Sequence, residues 1–228
     1  MNNEQPRRGL PTDPRFVAKT LDELLINNAP AQVGFVDVLT DIDGSNHDAI
    51  EKKMCTGLRE NKYDFIIAPE YSFAPYDTVF DEQQKDTILK RLLTASAGSK
   101  TLIIPGTFLW HKKGELKNTA YAICDGDIIH VYDKITDGGE RWHAIDYQLT
   151  YHFGEALGVF SWNRLKIGIE ICADAGILSQ SRLWNNDVHI FISCGRKDTL
   201  QCGTYLLIND GQNCLIEARH KKTSLLGL

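Results

Sequence analysis

This chain predicts an α/β fold, layered around mixed sheet, and three observations carry that expectation. Short, nearly continuous apolar runs, Asp64-Phe65-Ile66-Ile67-Ala68 and Thr101–Thr107, alternate with stretches of helical period. Runs of that kind suit strands covered on both faces. Two tight-turn signals, Asp125-Gly126 and Asn209-Asp210-Gly211, add antiparallel hairpins. Finally, Leu165, Ile167, Ile169 and Ile171 alternate with period two, which predicts a strand with one buried face ending at Cys172.

The bulk numbers bound the rest. A length of 228 residues, 43% of them hydrophobic, predicts one domain over 1–228 with a sizeable core. A net charge of -5 argues against nucleic acid and for a small-molecule or protein partner. No run reaches bilayer-spanning length, and Met1–Arg8 lacks the apolar centre of a signal peptide. The six cysteines (55, 124, 172, 194, 202, 214) form no Cys-x-x-Cys pair, which suits reduced thiols in cytoplasm. The spacing of Cys194, Cys202 and Cys214 is wrong for zinc, and no dinucleotide, Walker or Gly-x-Ser-x-Gly motif calls for a cofactor or another hydrolase class.

In chain order, residues 1–12 read as a flexible lead-in. Asp13-Pro14, then Val17, Leu21, Leu24 and Leu25, predict an N-terminal helix over 13–29. A strand, Gln32–Leu39, follows, and then a helix capped by Ser45 with Ile50, Met54 and Leu58 inward. The apolar run at 64–70 delivers Glu70 at its end. A helix over 82–97 stops at Gly98, and Thr101–Thr107 is the next strand. Asn118–Cys124 and Asp127–Asp133 flank the first hairpin turn and lead into Lys134. Residues 135–157 lack clear periodicity, as functional segments often do. Val159–Trp162 and Leu165–Ile171 form a strand pair; a short helix (176–184), strand Val188–Ser193 and a hairpin of Tyr205–Ile208 with Cys214–Ala218 close the fold. Residues 219–228, with His220–Lys222, read as a basic tail.

Glu70, Lys134 and Cys172 each stand at a strand end, where open α/β folds place reacting groups. Taken singly, each has an ordinary explanation: a rim carboxylate, a surface lysine, a core thiol. Together they suffice for amide or nitrile hydrolysis without a metal. A thiol is mostly protonated at neutral pH, so a carboxylate must take its proton as it attacks. An ammonium stabilises the developing oxyanion, and the carboxyl can protonate the leaving amine and then activate water.

The segments around these residues resemble the nitrilase, or carbon–nitrogen hydrolase, superfamily. Ala68-Pro69-Glu70-Tyr71 is similar to its Pro-Glu segment. Tyr132-Asp133-Lys134-Ile135, preceded by Asn118-Thr119-Ala120, is similar to its Tyr-x-Lys segment. Gly168-Ile169-Glu170-Ile171-Cys172-Ala173-Asp174 resembles its nucleophile segment, with Gly154-Glu155 and Val159-Phe160 as the lead-in. The resemblance covers about 30–195. It implies an αββα sandwich with mixed sheets and, in many members, a homodimer or higher homo-oligomer. It further implies Glu70 as general base, Lys134 as oxyanion stabiliser, Cys172 as nucleophile and the Ala173 N–H as a second oxyanion donor. A further glutamate is expected after the lysine; Glu140 is the candidate, with Asp137, Asp146 and Glu155 as competitors. Tyr71 and Trp142 are placed beside substrate or in support of the residues that touch it, with packing under the loop as the other explanation of Trp142. Tyr147, Tyr151 and Phe153 either shape a pocket or pack under the loop, and Glu170, on the strand face of Cys172 by the period of two, is read as structural or as supporting the site from behind.

Two departures stand out. Ser193 and Gly203 are separated by just Cys194–Cys202, so a helix–strand unit of the resembled family is absent or shortened near the C-terminus. Ala175-Gly176-Ile177-Leu178 replaces the usual basic-aromatic-proline continuation. The implied activity is hydrolysis of a small non-peptide amide through a Cys thioester. The alternatives are nitrile hydrolysis, acyl transfer by the same trio, an impaired binding or regulatory protein, and a metal hydrolase using His143, His152 and Asp174.

Overall fold

Residues 13–29 do not form a helix. In the computed structural model, which describes residues 13–76 and 78–219, β1 (Arg15–Ile26) pairs antiparallel with β2 (Ala29–Asp37). Asn27 and Asn28 both take positive φ, as a two-residue type I′ hairpin turn requires. A register shift between Leu21 and Leu25 reverses the side-chain phase partway along β1. Leu21 and Leu24, both buried, therefore stand three apart and imitate a helical stripe. The lead-in 1–12 and the tail from His220 onward lie outside the described residues.

α1 (His47–Glu60) follows, with Ile50, Met54 and Leu58 buried as expected. Its cap is Asn46, whose side chain accepts from Ala49 N; Ser45 instead donates to Ser72 O at 2.8 Å, tying down the Glu70 loop. β3 (Phe65–Ile67) and β4 (Phe80–Asp81) precede α2 (Glu82–Ser96), which opens on a capping box of Asp81 and Gln84. The run 101–107 is two strands: β5 (Leu102–Ile104) ends at Pro105-Gly106, and β6 (Thr107–Lys112) begins beyond. Gly106 has φ +82, and a Cβ there would lie 2.0 Å from Pro69 O, so glycine permits the close approach to the Glu70 loop. β7 (Glu115–Cys124) and β8 (Asp127–Asp133) make the expected hairpin. The aperiodic stretch contains α3 (Glu140–Asp146) and β9 (Thr150–Tyr151).

These strands build one sheet in the order β1-β2-β3-β5-β7-β6-β4, with β8 and β9 also on β7. The second sheet runs β10 (Val159–Trp162), β11 (Leu165–Ile171), β12 (Asn186–Ile192), β13 (Gly203–Asn209), β14 (Cys214–Ala218), its middle three parallel. α4 (Ile177–Gln180) is shorter than the helix expected at 176–184.

Periodicity explains the layering. Val33, Phe35, Phe65 and Ile67 from the first sheet meet Ile167, Ile169, Ile171, Val188 and Ile190 from the second in one apolar core. The other face of the first sheet (Val36, Ile66, Ile103, Tyr121) packs under α1 and α2 through Ile50, Met54, Ile88 and Leu92. The outer face of the second sheet carries Phe191, Leu206 and Ile208, with Ala175 against them. Two mixed sheets face to face with helices outside are a mixed α/β sandwich, as expected. The chain from Ser193 to Cys202 contains no helix or strand. Ten extended residues reach about 33 Å, enough to return along the seven-residue β12 and start β13 as its parallel neighbour.

Candidate active site

The strand ends bring Glu70, Lys134 and Cys172 to one place. Glu70 lies three residues past β3; its N–H donates to Ser193 O (3.3 Å), and Thr40 Oγ1 donates to its carbonyl (2.5 Å). Lys134 directly follows β8. Its N–H donates to Asn118 O and its carbonyl accepts from Gly154 N, both at 2.9 Å. Cys172 ends β11 in a short 3-10 turn, Cys172–Asp174, closed by Ala175 N donating to Cys172 O at 3.0 Å. Its φ is 44°, a left-handed conformation costly for a residue with a Cβ and of the kind that clusters at functional sites. The N–H of Ala173 takes no part in the closing bond.

Glu70, Lys134 and Glu140 are fully buried, and Cys172 is half-buried. Lys134 Nζ donates to Glu70 Oε1 at 2.6 Å and to Glu140 Oε1 at 2.5 Å. Asn118 Nδ2 donates to the same two oxygens, at 3.1 and 2.8 Å. Tyr71 OH donates to Glu140 Oε1 (2.6 Å), and Gly138 N to Glu140 Oε2 (2.6 Å). Glu70 Oε2 is left buried with no hydrogen bond at normal geometry. The Cys172 thiol is nonetheless near enough that it and the Glu70 carboxylate alter each other's protonation. Gly138 is exposed, and a Cβ there would come within 2.7 Å of Lys134 Nζ, so glycine keeps that side of the ammonium clear.

Burial and charge set the protonation states. Burial, reinforced by Glu70, pushes the Cys172 thiol up to about 12, against Lys134 and the Cys194 N–H, so the resting sulfur is a neutral thiol. Burial also raises Glu70, with Glu140 adding to it and Lys134 opposing, which makes Glu70 a stronger base than a free carboxylate. For Lys134, burial disfavours the charge, but Glu70 and Glu140 outweigh it and hold the ammonium above its ordinary range. Glu140 feels the same burial; Lys134, Tyr71 and Gly138 overcome it and keep it ionised.

Of the four acidic candidates after the lysine, the structure brings Glu140 to the ammonium. Asp137 instead accepts from Gly139 N and Arg141 N, while Asp146 and Glu155 are exposed. Tyr71 sits beside Lys134, whose Nζ is 5.8 Å from its ring centre. The Tyr151 hydroxyl is buried without a hydrogen bond, within the electrostatic reach of Glu140 and Glu70. Trp142 is a correction: it is 74% exposed. Glu140 and Ala144, four apart, are the inward residues of α3, and position 142 is half a turn away. Phe153 is likewise exposed. His143 lies 3.8 Å from Asp43, and His152 stands near Glu115 and Asp133. Asp174 accepts from Tyr132 OH, Ile135 N and Thr136 N. The structure therefore does not gather His143, His152 and Asp174 into a metal site.

Two residues take roles in the site that the sequence alone does not give them: Asn118 carries none there, and Asp174 enters only as a metal ligand. Asn118, mid-strand where asparagine is disfavoured, bridges both carboxylates; that misplacement was its signal. Asp174 ties the chain just beyond Lys134 to the Cys172 turn. Its cue was the aspartate of the nucleophile segment.

The sequence model of the carbon–nitrogen hydrolase family matches residues 46–215. The chain belongs to the carbon–nitrogen hydrolase superfamily. Three solved structures place this superfamily member among its relatives. An amidase from Nesterenkonia sp. superposes with TM-score 0.62 at 12% identity, covering 82% of each chain. Nit3 of Saccharomyces cerevisiae, from branch 10 of the nitrilase superfamily, gives TM-score 0.53 at 18% identity, covering 75% of this chain and 73% of that one. Glutamine-dependent NAD+ synthetase from Acinetobacter baumannii gives 0.54 at 18%; the match covers 72% of this chain and 32% of the synthetase, about a third of its length. At these identities, what this hydrolase-family chain shares with them is the fold. No curated protein sequence matches it. Among the described residues, no helix is long and apolar enough to cross a membrane.

Proposed function

We propose that this chain hydrolyses a small non-peptide amide through a thioester on Cys172. Glu70 Oε2 takes the thiol proton as Sγ attacks the carbonyl carbon, and the oxyanion is held by the Lys134 ammonium and the Ala173 N–H. The tetrahedral adduct collapses as Glu70 returns that proton to the departing amine, leaving Cys172 acylated. Glu70 then takes a proton from water, the hydroxide oxygen attacks the thioester, and the second collapse releases the acid while the thiolate regains its proton. Glu140, Asn118 and Tyr71 hold Lys134 and Glu70 in register throughout.

The observation that carries this reading is the division of labour at Glu70. One oxygen is saturated by Lys134 and Asn118, the other has no hydrogen bond, and the carboxylate lies within the influence of the neutral Cys172 thiol. A buried carboxylate kept half unsatisfied is costly unless its function uses the spare oxygen. A fold neighbour adds to the choice of amide: a glutamate variant of the Nesterenkonia amidase carries the acetamide moiety of fluoroacetamide covalently at its active-site cysteine. The resemblance further supports an assembly of two or more copies, which light scattering of the purified chain tests, and the cysteines, present as thiols, support a cytoplasmic setting.

The experiment is intact-mass spectrometry after incubation with a library of small amides and nitriles. An acyl adduct mapped to Cys172 and released with time supports hydrolysis. An adduct released by added amine alone points to acyl transfer. No adduct from any member leaves the binding or regulatory reading in its place.

A further inference from the structure

Behind the Cys172 turn lies a second buried polar cluster, which the chemistry above does not use. Glu170 and His189 point from the outer face of the second sheet, and both are fully buried. Glu170 Oε1 accepts from Leu178 N at 2.8 Å, and both its oxygens share Gly176 N at 3.1 and 3.2 Å. Oε2 also accepts from Thr199 Oγ1 at 2.6 Å. His189 Nδ1 accepts from Cys202 N at 3.2 Å, which leaves the ring proton on Nε2. That nitrogen stands 3.2 Å from Glu170 Oε2, off-angle for a good hydrogen bond.

The partners divide into two segments. Gly176 and Leu178 belong to the chain leaving the Cys172 turn; Thr199 and Cys202 belong to the extended strap, 193–202, that carries β12 back to β13. This strap carries no helix or strand of its own. An extended segment has few side chains to bury and no internal ladder, so its backbone needs fixed partners. Glu170, two residues before the nucleophile, is bonded to both segments at once.

We propose that Glu170, backed by His189, is a positioning residue for Cys172: it clamps the nucleophile turn to the strap. A carboxylate is suited to this, because it accepts four hydrogen bonds in a fixed plane and bonds to charged acceptors are the stronger kind. The strained φ of Cys172 supplies the need. A turn held in a left-handed conformation relaxes unless its flanks are fastened, and relaxation would carry Sγ away from Glu70. The inference rests on Cys172 being the nucleophile.

The test is the rate of Cys172 alkylation by iodoacetamide near neutral pH, followed by peptide mapping, beside thermal unfolding of each variant. Glu170→Ala is expected to slow labelling at least about ten-fold, toward the roughly hundred-fold that a 1 Å misplacement costs. Thr199→Val slows it by a smaller factor, and Glu170→Gln, which keeps an acceptor for Leu178 N, recovers most of the rate. Leu92→Ala, in the opposite layer, lowers the unfolding temperature and leaves the rate alone. The clamp is overturned if Glu170→Ala labels at the wild-type rate, or slows no more than Leu92→Ala does. Should Glu170→Ala fail to fold, Thr199→Val at the wild-type rate overturns it equally. If wild-type Cys172 reacts no faster than the other five cysteines, the nucleophile reading falls and the clamp with it.

Discussion

Two buried polar clusters flank the same turn, and they are built on opposite rules. In front of Cys172, Lys134 sits between Glu70 and Glu140, one cation for two carboxylates, and two acceptor atoms (Glu70 Oε2 and Asn118 Oδ1), with the Tyr151 hydroxyl in electrostatic reach of both carboxylates, have no hydrogen bond. Behind it, each Glu170 oxygen has two or more donors or an imidazole against it. The front cluster carries excess charge and spare acceptors; at the rear the carboxylate is saturated, chiefly by backbone, and the unbonded atom is a donor, His189 Nε2, held 3.2 Å from it. Spare capacity in a buried site is a cost that reaction recovers, whereas saturation fixes geometry. One cluster is arranged to react and the other to hold.

That contrast can be broken first at Glu70. Glu70→Gln keeps an acceptor for Lys134, cannot take a proton and relieves the repulsion with Glu140. Turnover should fall by about 10²- to 10⁴-fold while the unfolding temperature is unchanged or higher; a large loss of stability would make the front cluster structural. Lys134→Met should lower turnover by about 10²- to 10³-fold. It should also destabilise, by about 3–5 kcal/mol in denaturant unfolding, because two buried carboxylates lose their cation.

The helical half of the fold was legible and the site's surroundings less so, for physical reasons. α1, α2 and the β7–β8 hairpin carried uninterrupted periodicity or a turn dipeptide. β1 did not, because its bulge and Asn-Asn turn shifted Leu21 and Leu24 onto a helical spacing. α3 was missed because one of its two inward positions is Glu140, a charge where an apolar residue would have marked the face. Glu70, Lys134 and Cys172 could be read at strand ends, yet their shared carboxylate oxygens and the Asn118 bridge are facts of three dimensions. Thr199 and Cys202 gave no signal in a strap without period.

The two carboxyls are displaced in opposite directions, Glu70 up and Glu170 down, so pH separates the clusters. Glu70 must be ionised to act, and burial raises it, so turnover should rise with pH through a midpoint above the ordinary 4.5. Lys134, held up by its carboxylates, should add no alkaline limb below 10.5. For Glu170, burial is outweighed by His189, Thr199 and Leu178, and its carboxyl titrates lower in the folded chain than in the unfolded one. Its stabilisation is therefore complete above 4.5 and is lost as pH falls through the depressed folded value. Glu170→Gln should flatten that acid limb in urea unfolding at a series of pH values. The smallest effect expected is on Thr199→Val stability, about 0.5–1.5 kcal/mol for one hydrogen bond.

The central claim is that carboxylate, ammonium and thiol act as a unit, and a labelling cycle tests it most directly. Cys172 alkylation rates would be measured in the wild type, Glu70→Gln, Lys134→Met and the double variant, with the other five cysteines as internal standards. Wild-type Cys172 should label fastest of the six, each single variant should slow it strongly, and the double should be little slower than the worse single. Independent, multiplying effects, or uniform labelling of all six cysteines, would contradict the account.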